Sequence, residues 1–132
     1  MEIHTTEIRV RYGETDQMGV VYHGNYAQYL EVSRVEWLRS LDISYKKMED
    51  DGIMLPVVNL NIFFKKPAVY DEVLSVKTKL RQKPGLKITI DQEIFNENGD
   101  LITTSEITLV FVNMKSKRPM SCPDHLLKKL GF

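Results

Sequence analysis

The sequence predicts an α+β domain in which one antiparallel sheet of five strands wraps a single long helix. Three observations lead there. A first segment alternates apolar and charged residues, as a half-buried strand does. A long stretch follows with apolar residues at three- and four-residue spacing and only a narrow polar strip. After Gly52 the period changes to two, and it stays so through four further segments separated by turn residues.

The first strand spans about Glu2 to Tyr12, with Ile8, Val10 and Tyr12 on one face and Glu7, Arg9 and Arg11 on the other. Gly13 to Gly19 is loop. The helix runs from about Gly24 to Leu41. Tyr26, Leu30, Ser33, Trp37 and Leu41 form its stripe, Tyr29 lies beside them, and Ala27, Val32, Val35 and Leu38 widen it past half the circumference. Such a helix is expected to be wrapped rather than laid on a surface. A second, short helix from about Ser44 to Asp51 ends at Gly52.

Val58, Leu60, Ile62 and Phe64 then alternate with Asn59 and Asn61, until Pro67 breaks the run. Leu74 to Leu80 and Leu86 to Ile94 alternate in the same way around the turn residues Lys83, Pro84 and Gly85. "NENGD" at 96–100 is a hairpin turn. The last strand carries "ITLVFV" at 107–112, apolar on both faces, so it is expected to be central or at an interface. "PDHLLKKLGF" closes with a helical turn.

Composition narrows the function. The 132 residues, 42% hydrophobic, suffice for one domain with a real core, and no repeat, low-complexity segment or linker divides them. Eighteen basic residues balance eighteen acidic ones, which argues against a nucleic-acid partner and leaves self-association open. Cys122 is the one cysteine, so no internal disulfide can form and a reducing compartment fits. The N-terminus lacks the basic start and apolar run of a signal peptide, and no apolar run approaches the ~20 residues of a membrane span. The expectation is a cytoplasmic protein with no membrane span.

The chemistry concentrates in "RYGETDQMGVVYHGNYAQYLEVSR", residues 11–34. A carboxylate, Asp16, lies on a loop just ahead of a helix N-terminus, whose free amides and dipole favour a developing negative charge. Thioester hydrolysis needs that combination, a nucleophile or base together with an oxyanion site. On the residues alone Asp16 reads equally as a loop-capping aspartate. The His23 side chain reads as a satisfied polar contact, Tyr22, Tyr26 and Tyr29 as packing aromatics, and Glu31 with Arg34 as an intrahelical pair.

The ordered set Tyr12, Gly13, Asp16, Gly19, Val21, Tyr22, His23, Asn25 and Tyr26, followed by Glu31 and Arg34, resembles hotdog-fold acyl-CoA thioesterases of the 4-hydroxybenzoyl-CoA and Tol–Pal-associated type. The resemblance implies the hotdog fold and hydrolysis of an acyl-CoA to free acid and coenzyme A. It makes Asp16 the nucleophile or general base and the His23 backbone N–H the oxyanion donor, with Tyr22 as a further site residue. It implies no bound cofactor, since coenzyme A is part of the substrate. The doubly apolar 107–112 strand and the one-sheet, one-helix plan leave a sheet face to cover, so homodimers paired into tetramers are expected, with the site where one helix start meets the partner. Glu14 departs from the pattern, standing where many members carry aspartate, and this is expected to be tolerated.

Two other functions fit the same features. An acyl-thioester dehydratase would use a His with a carboxylate for proton abstraction, and a non-catalytic acyl-CoA binding module would not need the Asp16 charge. His4, His23, His125 and Cys122 are too scattered for a metal site. No P-loop, dinucleotide-binding glycine pattern or serine elbow occurs. Lysines and arginines at 65–66, 81–87 and 115–118 are available for the nucleotide phosphates without any motif that selects among them.

Overall fold

The computed structural model describes residues 2–132. Strand β1 (His4–Arg9) is followed by a 3₁₀ turn (Tyr12–Glu14), helix α1 (Asn25–Ser40) and the short helix α2 (Tyr45–Asp50). Strands β2 (Ile53–Met54), β3 (Val57–Phe64), β4 (Val73–Leu80), β5 (Lys87–Phe95), β6 (Leu101–Val110) and β7 (Val112–Asn113) come next, and α3 (Asp124–Lys129) closes the chain. The five long strands form one sheet in the order β1-β4-β5-β6-β3, antiparallel throughout, while β2 and β7 pair separately.

The local signals act as expected in most places. Ser44 Oγ accepts from the Lys47 N–H and caps α2, and Gly52, at φ +84°, ends it in a conformation that favours glycine. The Asn96–Asp100 turn closes the β5–β6 hairpin. The first strand is shorter than its alternation suggests. The chain leaves the sheet after Val10, so Tyr12 is 77% exposed rather than buried. The reason is local: Glu14 Oε1 takes the Arg11 N–H and turns the backbone into the 3₁₀ segment.

Helix α1 buries Tyr26, Tyr29, Leu30, Ser33, Arg34, Trp37 and Leu38. Leu74, Val76, Ile94 and Ile102 meet its first half, and Leu80, Ile90, Ile107, Leu109 and Phe111 meet its second. The helix lies nearest β1 and β4, off the centre of the sheet. Val32 and Glu31 are therefore exposed, and α1 is covered on one side rather than all round.

The same offset leaves edge strand β3 bare. Leu60 and Phe64 stand opposite the buried Ile107 and Thr103, on the helix side of the sheet, yet both are exposed, as are Val57, Val58 and Phe63. Strand β6 is interior to the sheet, between β5 and β3. Of 107–112, Ile107, Leu109 and Phe111 are buried while Thr108, Val110 and Val112 are half-buried. The outer face of the sheet is polar: Arg81 bonds Asp91 and Glu106, and Asn61 bonds Glu106. Uncovered apolar surface thus lies on β3, not on 107–112.

Candidate active site

Residues 14–22 form a miniature hairpin. Tyr22 N–H donates to the Glu14 carbonyl at 2.9 Å, Thr15 bridges Val21, and Asp16 N–H donates to the Val20 carbonyl at 2.8 Å. Gly19 closes the turn at φ +77°. Asp16 stands at the turn, half-buried, with Oδ1 accepting the Met18 N–H at 2.8 Å. One carboxylate oxygen therefore holds the loop, and among the described residues Oδ2 has no hydrogen-bond partner.

The hairpin leads directly into α1. Asn25 N–H donates to the Tyr22 carbonyl and Tyr26 N–H to that of His23. The backbone N–H groups of His23 and Gly24 have no acceptor among the described residues, and the first turn holds no acidic side chain. They are the unpaired donors at the positive end of a sixteen-residue helix. The Tyr22 ring, 50% exposed, tilts against the His23 ring at 4.4 Å and lies over Gly24, where an added Cβ would come within 2.8 Å of it. Glycine at 24 allows that close approach. The exposed His23 imidazole makes no hydrogen bond to Asp16.

Beside this start is a cavity of about 300 Å³ lined by Val21, His23, Tyr26, Phe64, Lys65, Lys66 and Pro67. Tyr26 packs edge-on against Phe64, and its hydroxyl accepts the Ala68 N–H. Lys66 is held by Asp100 at 2.6 Å, whereas Lys65 has no acidic partner among the described residues. Asp16 does not line this cavity. A larger groove, about 470 Å³, lies at the far end of α1 around Trp37, Leu41, Leu130 and Phe132, away from all three sequence-predicted site residues.

Sequence reasoning missed the role of Glu14. Only 8% exposed, its carboxylate takes the Arg11 N–H and the Tyr29 hydroxyl on Oε1, both at 2.8 Å, and the Arg11 guanidinium on Oε2. Burial raises its pKa, but bonds from the Arg11 N–H, Tyr29 and the Arg11 side chain outweigh that and hold the carboxyl below its ordinary range. The Tyr29 hydroxyl shifts the other way, through burial first and then the Glu14 bond and charge, and stays a neutral donor. The available signal was an Arg-x-x-Glu at the end of a strand ahead of a helix with a tyrosine on its buried face. The Glu31–Arg34 pair is absent. Arg34 is 6% exposed and donates to the Tyr45 hydroxyl, because its helix position faces inward while that of Glu31 faces solvent.

A family model described as the thioesterase-like superfamily matches residues 10–130. YneP of Bacillus subtilis is 38% identical over 120 residues, 91% of this chain and 87% of its own. The long-chain acyl-CoA thioesterase FadM of Escherichia coli is 30% identical, with 95% of each chain covered. Among solved structures, a DHNA-CoA thioesterase from Staphylococcus aureus superposes with a TM-score of 0.87 at 42% identity, covering 92% of this chain and 81% of that one. With the family matched over nearly the whole chain, and one antiparallel sheet carrying one long helix, the chain is a hotdog-fold enzyme belonging to the thioesterase-like superfamily, among the acyl-CoA thioesterases.

Proposed function

We propose that the protein hydrolyses an acyl-CoA to the free acid and coenzyme A at the start of α1, with Asp16 as nucleophile or general base. The observation that carries this reading is the juxtaposition, in one hairpin-to-helix unit, of a half-free carboxylate and two unpaired helix N-terminal amides. The thioester carbonyl is polarised by the His23 N–H, with the Gly24 N–H beside it, and each such donor is typically worth ~10²–10³ in rate. Tyr22 shields that position with its ring. Coenzyme A enters as part of the substrate, and the reaction needs no bound cofactor. The acyl group occupies the cavity between Tyr26 and Phe64. Its relatives act on different acyl groups, long-chain for FadM and DHNA for the Staphylococcus aureus enzyme, so aryl and aliphatic esters are both to be assayed.

The working form in this reading is a dimer made through β3, with dimers paired into tetramers, in a reducing cytoplasm. The bare inner side of β3 borders the Phe64 end of the cavity, so a second protomer there would complete its wall.

The test is thiol release by Asp16→Asn, which keeps size and hydrogen bonding but removes the charge. It should lose at least about 10²-fold in kcat, more than a cap would explain. Glu31→Gln, on the exposed face of α1, should keep its activity. An active Asp16→Asn with an inactive Glu31→Gln would move catalysis to the helix carboxylate. Mass analysis of Asp16 after turnover in ¹⁸O-water separates attack by the carboxylate, which labels it, from activation of water, which does not. An enoyl thioester in place of free thiol would mean a dehydratase.

A further inference from the structure

We propose that Glu14 is the positioning residue of this site: its carboxylate fastens the Asp16 loop to the buried face of α1, and its carbonyl fixes the residues flanking the oxyanion donors. This rests on the reading of Asp16 and the His23 N–H given above.

The geometry converges on one residue from three directions. Tyr29 follows Asn25 by four positions, so both lie on one helix face a turn apart. The Asn25 side chain donates Nδ2 to the Glu14 carbonyl at 2.9 Å, and the Tyr29 hydroxyl donates to the Glu14 carboxylate at 2.8 Å. The returning strand of the hairpin adds the Tyr22 N–H to the same carbonyl at 2.9 Å. Glu14 is two residues from Asp16, while Tyr22 and Asn25 bracket His23 and Gly24. Capping the 3₁₀ turn uses only the Arg11 N–H and does not require Tyr29, fifteen residues away. A buried carboxylate is tolerated only when satisfied, and here the satisfying donors belong to the two halves of the site. Loosening residue 14 therefore shifts the carboxylate and the oxyanion donors relative to each other, and a misplacement of ~1 Å can cost about 10²-fold in rate.

Steady-state kinetics with benzoyl-CoA and hexanoyl-CoA test it. Tyr29→Phe keeps the ring and removes the hydroxyl, Glu14→Ala removes the acceptor, and Glu14→Gln retains an oxygen for both the Arg11 N–H and Tyr29. Arg11, largely exposed, can swing away from the new amide. Tyr29→Phe and Glu14→Ala should lose about tenfold or more in kcat with KM changed less than about twofold, and Glu14→Gln should recover most of the Glu14→Ala loss. Met48→Ala, a core change in the cluster around the C-terminal end of α1 and away from the site, serves as the control that lowers the melting temperature while keeping kcat. If Tyr29→Phe loses thermal stability but keeps kcat within about twofold, Glu14 is a structural residue only and the proposal is overturned; this variant decides should Glu14→Ala fail to fold. An inactive Asp16→Asn with kcat intact in Tyr29→Phe and Glu14→Ala removes the brace and leaves the assignment of Asp16 standing. An active Asp16→Asn with an inactive Glu14→Gln makes Glu14 the reacting carboxylate, and both proposals fall.

Discussion

Gln92 Nε2 donates to the main-chain carbonyl of Leu30 at 3.0 Å, so a side chain in the middle of the sheet is bonded directly to the middle of α1. The same amide donates to Thr78 Oγ1 at 3.1 Å, and the main-chain carbonyl of Gln92 accepts from Ser105 Oγ. A polar row thus crosses the inner face of β4, β5 and β6 beneath the helix that carries the site. Such a network is directional where apolar packing is not, and it sets the position of α1 along the sheet. Gln92→Ala should cost about 2–4 kcal/mol in urea unfolding, from the cavity and the unpaired partners together.

Thr103 is fully buried next to that row, and its hydroxyl has no partner among the described residues. An unmade buried hydrogen bond is a penalty, so the nearly isosteric Thr103→Val should raise stability by up to about 1 kcal/mol. A fall of comparable size in the melting midpoint would mean that the hydroxyl is bonded in the assembled protein.

The exposed β3 edge predicts self-association, because a long apolar edge strand is a template for another chain. Light scattering at micromolar concentration should give a multiple of the 15.3 kDa chain mass. Phe63→Lys, on the outer side of β3 where the single chain leaves it exposed, should shift the protein toward monomer. A monomeric parent would exclude this mode of assembly.

Salt should weaken binding of coenzyme A esters more than binding of short thioesters that lack the nucleotide, since phosphate contacts are screened and apolar ones are not. Lys65 is the first residue to substitute, being at the cavity and free of an acidic partner among the described residues, unlike Lys66. Equal salt dependence for the two ligand classes would make these lysines ordinary surface.

Stability should fall on acidification through Glu14. Its folded-state pKa is held below the ordinary glutamate value of about 4.5, so its contribution is fully present above that value and is lost as the pH drops through the lower folded one. Chemical denaturation at a series of pH values should show this acid-side loss in the parent. Glu14→Gln should have a flatter slope below pH 4.5, and identical slopes would mean that the carboxyl is not held ionised by its partners.

The period of the apolar residues determined the α+β class, the five long strands and the long helix, since burial on one face imposes it on sequence whatever the final packing. The ordered residues from Tyr12 to Tyr26 determined the family. Tertiary structure alone decided the strand order, which places β3 beside β6 rather than next to its sequence neighbours. It also decided the offset of α1 that bares β3. Both depend on contacts between segments far apart in the chain, which local spacing does not encode. Glu14 is the sharpest case. Its partner Tyr29 reads in sequence as one more core aromatic, and only the folding of 14–22 back onto α1 brings that hydroxyl within 2.8 Å of the carboxylate. Arg34 shows the converse: three-residue spacing from Glu31 permits an ion pair, but the packing of α1 turns the arginine inward and leaves the glutamate in water.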